Sequence, residues 1–268
     1  MAELDWRSRL HVQAGGFAPL YAQLTEGLRS AIADLEPGDP IPSEKEIMEF
    51  SGVGRVTARK AIGDLVGEGL LVAIRGKGTF VAEPRIPTKL DRLAGFSETM
   101  RRLGRTPGSR ILSAEEVSAT GIVAERLRVE PGATIIRVER LRLIDGEPCM
   151  VETTHFLASL VPGMLTEDLE GSLYDLLRAK WGLVAARGSE TVVAVNADRD
   201  LARVLGIPIA SAVLATSRAT FTDRGVPVEY TLRRARGDRC SFIVPLTAGT
   251  VLGDQSAADE ALLPGTGA

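Results

Sequence analysis

Residues 42–81 read PSEKEIMEFSGVGRVTARKAIGDLVGEGLLVAIRGKGTFV, and the order of elements in this stretch decides the N-terminal fold. Ser43 is placed to cap a first helix, and Glu46 three residues later completes a capping box. The apolar set Ile47, Met48 and Phe50 stops at Ser51-Gly52. A second helix starts at about Arg55, because Ala58, Ala61, Ile62 and Leu65 fall on one stripe at helical spacing and Gly69 supplies the stop. Arg55 and Arg59 lie one turn apart and share a side beside that stripe. Leu70 to Ile74 is strand-like, Arg75-Gly76-Lys77-Gly78 is a turn, and Thr79-Phe80-Val81 returns. Helix, turn, helix and two-stranded wing make a winged helix-turn-helix.

Such a unit reads DNA with the first turn of its second helix in the major groove while the next turn meets phosphates. Arg55, Thr57 and Arg59 occupy those places, and the glycines around Lys77 put a cation at the wing tip. Gly76-Lys77-Gly78 lacks the six-residue spacing of a phosphate loop, so it does not signal nucleotide binding.

Working outward, residues 1–16 carry Gly15-Gly16 and mixed charge and read as a flexible arm. The DNA-binding domain spans 17–82 and opens with a supporting helix striped by Tyr21, Leu24, Leu28, Ala31 and Leu35. Glu83-Pro84-Arg85-Ile86-Pro87 is held extended by its prolines and marks a linker over 83–90. A second domain follows over 91–247, and the Gly-, Ala- and Asp-rich residues 248–268 read as a disordered tail. In the second domain an amphipathic helix is expected over 90–103. Strands are expected over 109–118, 134–143, 147–156, 183–195, 211–222, 226–234 and 240–246, with helices over 120–128, 172–181 and 198–205. The turns Asp145-Gly146 and Arg224-Gly225 favour antiparallel pairing. The fold class is α+β: a winged helix-turn-helix followed by an antiparallel-sheet domain.

The 268 residues are long enough for two domains, and 44% hydrophobic content is enough for real cores. A net charge of −3 argues against a non-specific nucleic-acid binder, which depends on a broadly basic surface. Cys149 and Cys240 stand far apart without metal-like neighbours and read as reduced thiols. Neither a leader peptide nor an apolar run of membrane length is visible, so a cytoplasmic location is expected.

One strand is odd. In ATIIRVERLRLIDG the residues Ile136, Val138, Arg140, Arg142 and Ile144 share a face, so two arginines interrupt an apolar side. Buried arginine needs an anion, supplied by a ligand or by internal carboxylates such as Glu152 and Glu229. Glu152 falls on the arginine face if the hairpin uses the three-residue loop Ile144-Asp145-Gly146, and points away with a two-residue loop. Gly171-Ser172-Leu173-Tyr174-Asp175 opens a helix whose free N–H groups suit an anion as well.

Residues 19–82, through PLYAQL, IPSEKEI, VGRVTARKAI and LVGEGLLVAIRGKGTFV, resemble the DNA-binding domain of the GntR family of bacterial transcription regulators. The resemblance implies that Lys45, Arg55, Thr57, Arg59 and Gly76 contact operator DNA, with Arg75 and Lys77 beside them in the wing. Lys45 stands where Arg is commoner, which keeps the charge but loses bidentate pairing with guanine. Gly54 stands where a capping Ser is expected. Residues from about 90 to 246, notably RVERLRLIDGEPCMVETTHF, GSLYDLL, LGIPIASAVL and DRGVPVEYTLRRARGDRCSF, resemble the UTRA effector-binding domain of the HutC subfamily, whose fold is similar to chorismate lyase. That resemblance implies a small anionic effector, such as a sugar phosphate or a carboxylate, in a pocket lined by Phe96, Ser97, Arg140, Arg142, Glu152, Ser172, Tyr174 and Glu229, with Arg187 a further candidate. Ala235 stands where members responding to sugar phosphates tend to carry Tyr.

The expected function is a ligand-responsive, homodimeric repressor released from a palindromic operator by its effector. The rival is an enzyme of lyase-like fold, with Glu152 as general acid. Fold does not confer chemistry, and the sequence holds no Ser-His-Asp arrangement, metal-ligand spacing or cofactor loop. His11 and His155 read as structural imidazoles. No cofactor, metal or membrane partner is expected. An architectural DNA protein is disfavoured by the charge balance and by the large second domain.

Overall fold

The computed structural model describes residues 5–246 apart from 14, 16 and 75. The expected tail of 248–268 and Arg75 therefore lie outside the described residues. The chain divides into two compact units at Arg85/Ile86.

The first unit contains α1 (Trp6–Arg9), α2 (Leu20–Ile32), α3 (Glu44–Ser51), α4 (Arg55–Glu68), β1 (Leu71–Ile74) and β2 (Gly78–Val81). Ser43 caps α3: its backbone N–H donates to the Glu46 carboxylate at 2.8 Å and its hydroxyl accepts from the Glu46 N–H, closing a capping box. Gly52, at φ 72°, ends α3 and lets α4 start three residues later. Leu24 and Leu28 of α2, Ile47 of α3, and Ala58, Ala61 and Leu65 of α4 are fully buried in one core. Each buried leucine or isoleucine contributes roughly 1.5–3 kcal/mol, which fixes how α3 and α4 are presented.

Residues 6–10 depart from the flexible arm expected. Asp5 caps α1, and Leu10 is 0% exposed within the same core, with Trp6 packed beside it. Trp6 and Leu10 are four residues apart, a one-turn apolar stripe that the nearby Gly15-Gly16 obscures. The approach is close: a Cβ at Gly27 of α2 would stand 2.6 Å from the Arg9 carbonyl oxygen.

The second unit contains β3 (Ile86–Lys89), α5 (Phe96–Arg102), β4 (Pro107–Ser118), α6 (Gly121–Leu127), β5 (Thr134–Ile144), β6 (Glu147–Leu157), α7 (Leu173–Trp181), β7 (Arg187–Asn196), α8 (Arg199–Leu205), β8 (Ala212–Phe221), β9 (Pro227–Arg236) and β10 (Cys240–Ile243). Six strands form an antiparallel sheet in the order β4-β5-β6-β9-β8-β7. On one face Leu201 and Leu205 of α8 pack on Leu141, Val151 and Val213, while Leu127 of α6 packs on Ile135 and Phe221. On the other, Leu173 and Leu177 of α7 cover Ile136, Val138, Phe156 and Val228. Two expectations change. Ile86–Lys89, read as linker, is a strand paired in parallel with β10, because Ile86 is apolar enough to be buried there. The helix expected from residue 90 begins only at Phe96, with Gly95 as its N-cap.

The β5–β6 hairpin resolves the loop question in an unexpected way. Asp145 and Gly146 both have positive φ, 52° and 88°, and form a two-residue turn between Ile144 and Glu147. Left alone, that turn would send Glu152 to the opposite face. Leu143 pairs with Pro148 but Arg142 with Met150, so Cys149 is an extra residue, and beyond this bulge Arg140 faces Glu152.

Candidate functional site

The first candidate is a nucleic-acid interface on α3, α4 and the wing. Arg55 and Arg59 of α4 keep side chains 73% and 68% exposed, and both approach Glu44, at 3.6 Å and 3.1 Å. Lys45 is exposed and reaches Glu49 at 3.7 Å. Thr57 is half-buried in the same turn. Gly54 caps α4 without a side chain, and the first turn of α4 carries no acidic residue, so its free N–H groups remain open to a phosphate. In the wing, Gly76 and Gly78 have positive φ, 77° and 128°, and the Lys77 N–H donates to the Ile74 carbonyl at 3.0 Å, leaving the Lys77 side chain exposed. Two residues escape the sequence reading. Val56, 84% exposed between Arg55 and Thr57, offers an apolar surface suited to a thymine methyl. Glu44 braces both arginines. Its acidity gave no signal in a region read for cations.

The second candidate lies on the α7 face of the sheet. Phe96, Ser97, Arg140, Arg142, Glu152, Ser172, Tyr174 and Glu229 line one cavity of about 20 Å³, together with Gly95, Leu173 and Arg233. Arg187 is elsewhere, its guanidinium donating to the Asp223 carbonyl at 3.3 Å.

Within the cavity the arginines differ. Arg140 donates to the Leu169 and Gly171 carbonyls, both at 3.1 Å, and forms an ion pair with Glu152. The other Glu152 oxygen accepts from Arg233 Nε at 2.8 Å. Burial alone would raise the Glu152 pKa, but Arg140, Arg233 and Arg142 outweigh it and hold the carboxyl well below the usual range. Arg142 is 1% exposed, yet makes no ion pair among the described residues. Its partners are neutral: Ser97 Oγ at 3.0 Å, Ser109 Oγ, and the Phe96 ring, 4.3 Å from Cζ to centroid. Burial lowers its pKa to about 10, so it stays cationic at neutral pH. The Nε atoms of Arg140 and Arg142 are buried without a hydrogen-bond partner among the described residues.

Glu229 does not pair with these arginines. Tyr174 donates to it at 2.6 Å, and burial raises its pKa. Three arginines face two glutamates in this lining, so its formal charge is positive. Ser172 caps α7 by accepting from the Asp175 N–H at 3.3 Å. Arg233, Glu190 and Arg218, which the sequence reading did not select, extend the charged set: Glu190 accepts from Arg218 Nε at 3.0 Å and from Arg233 at 3.3 Å. Only Arg233 had a local signal, in the alternation of Glu229, Thr231 and Arg233 along β9.

His155 and the thiols of Cys149 and Cys240 are buried, whereas His11 is exposed. His155 contacts the Tyr230 carbonyl at 3.2 Å through Nδ1, and burial lowers its pKa. Burial pushes the thiols of Cys149 and Cys240 up, the latter to about 11. Among the described residues no group of His, Cys, Asp and Glu is arranged to hold a metal, and no helix is long and apolar enough to cross a membrane.

Comparison with known proteins gives two family matches: residues 20–81 match the bacterial regulatory proteins of the gntR family, and residues 102–241 match the UTRA domain. The chain is 32% identical to the HTH-type transcriptional repressor NagR of Bacillus subtilis over 84% of its own length and 93% of that protein. It is 31% identical to the repressor PhnF of Mycolicibacterium smegmatis, over 79% and 86% of the two chains. The crystal structure of PhnF from Mycobacterium smegmatis superposes with a TM-score of 0.61 at 29% identity, covering 84% of this chain and 99% of that one.

Proposed function

From the premise that this chain belongs to the GntR family, with a UTRA domain as its second unit, we propose that it represses transcription and is released from its operator by a small anionic effector bound at Arg140 and Arg142. It is a regulator and not an enzyme, as its similarity to named repressors over most of their length indicates. The observation that carries the effector reading is Arg142, a buried cation without a carboxylate partner among the described residues. An uncompensated buried charge costs several kcal/mol, and a bound anion meeting the Nε atoms of Arg140 and Arg142 would offset that cost. Operator contact is assigned to Lys45, Arg55, Thr57, Arg59, Gly76, Lys77 and, in the wing, Arg75. Arg55 and Thr57 face base edges, while the rest meet backbone.

The protein acts as a homodimer in the cytoplasm, presenting two α4 helices to the half-sites of a palindrome, since protein two-fold symmetry is mirrored by operator symmetry. Effector and operator are thermodynamically linked, so a ligand favouring the DNA-free state lowers operator affinity by the factor that DNA lowers its own. Fluorescence anisotropy on DNA from upstream of its own gene, against scrambled DNA at equal salt and with a panel of anions, tests this. Specific binding relieved by one anion is expected. Arg140→Ala should retain DNA binding and lose the relief; loss of DNA binding instead counts against the assignment.

A further inference from the structure

The six-stranded sheet of the second unit has two edges, and they are built differently. β4, on one side, starts at Pro107, is interrupted by a bulge between Ile111 and Ser113, and carries the exposed charges Arg110, Glu115 and Glu116. Bulges and charges of this kind keep an edge strand from pairing with another chain. β7, on the other side, pairs with β8 and with no second strand among the described residues. Its ladder runs without a bulge from Arg187 to Asn196, and over 191–196 it reads TVVAVN, with neither charge nor proline. Val192, Val193 and Val195 are 38%, 51% and 39% exposed. A long, regular, apolar edge is a template for a further strand.

We propose that β7 is the interface between two copies of this chain: the two β7 strands pair antiparallel about a two-fold axis through Val193, and the two sheets become one. The strand is complementary to itself in that register. Val193 faces its own copy, Val192 faces Ala194, and Thr191 faces Val195. Glu190, the nearest charge, faces Asn196 and is already held by Arg218 and Arg233, so no like charges are opposed. Val193 and Val195 lie on the sheet face that carries α8, with Val213, and Val192 lies on the other, so the contact covers apolar surface on both faces of the ladder. A two-fold contact requires one patch to match itself, and a neutral strand centred on valine meets that requirement. This inference rests on the reading of the protein as a homodimer and names the surface that makes it one.

Analytical ultracentrifugation and cysteine cross-linking of the full-length protein test it. The wild-type chain should sediment as a dimer. Val193→Lys sets two ammonium groups against each other across the axis and should raise the dissociation constant by about tenfold or more, with the circular dichroism spectrum unchanged. Val193→Cys should give a disulfide-linked dimer on oxidation with copper phenanthroline, because directly opposed residues bring their Cβ atoms within about 4.5–5.5 Å. Val184→Cys, at a position 49% exposed and outside β7, should not cross-link. Cys149 and Cys240 are buried, which leaves the introduced thiol as the one that reacts. Should Val193→Lys not fold, Val193→Cys carries the test. A dimer of unchanged affinity in Val193→Lys, or a Val193→Cys dimer that does not cross-link, overturns β7 as the interface and leaves the homodimer standing. A wild-type chain that stays monomeric with and without operator DNA removes the homodimer and this inference together.

Discussion

Arg142 is a buried cation surrounded by two serines and a phenyl ring. A residue kept for stability would not be built this way, because an apolar side chain of similar volume would cost less to bury. Arg142→Met is expected to leave the unliganded protein as stable as before or more stable by about 1–3 kcal/mol, measured by urea denaturation, while abolishing effector response. A loss above about 2 kcal/mol would mark Arg142 as a structural residue. At this scale the sequence was legible where alternation spoke: Arg140 and Arg142 interrupt an apolar face in plain view. It was silent where partners come from distant strands, as with Arg218 and Glu190, and where a candidate rested on type alone, as with Arg187.

Among the elements, β5 and β6 show how a local rule can be right and its conclusion wrong. The sequence places the turn at Asp145-Gly146 and leaves its length open between two and three residues; the loop has two, and the facing of Glu152 depends on the bulge at Cys149, for which the sequence carries no turn signal. The short helix α1 gives the reverse case, an element hidden because four residues hold too little periodicity to read. Its docking depends on Gly27, where a methyl group would collide with the Arg9 carbonyl. Alanine is normally favoured over glycine within a helix by about 1 kcal/mol. Gly27→Ala is nevertheless expected to destabilise the first unit by roughly 1–3 kcal/mol through overpacking, read as a lower thermal midpoint for the full chain. An increase in stability would mean that α1 does not pack on α2. The winged helix itself was readable almost end to end, since caps, stripes and glycines in 42–81 are all local signals.

For the whole molecule, DNA binding must arise from a chain with net charge −3, so a few placed cations carry the electrostatics. Each phosphate contact contributes about 0.9 to the slope of log affinity against log salt. Lys77→Ala or Arg59→Ala, made in both copies of a dimer, should therefore reduce that slope by about two, against about one for a monomer. Anisotropy titrations at several salt concentrations give the value directly, and an unchanged slope removes the residue from the phosphate interface. The Glu44 bridge then has a consequence for how the repressor searches a chromosome. Because Glu44 already neutralises part of Arg55 and Arg59, any duplex must first displace a carboxylate, whether or not it carries the right bases. Residence on random sequence is shortened, and only a site whose base edges reward the freed Arg55 holds the protein long enough to silence a promoter.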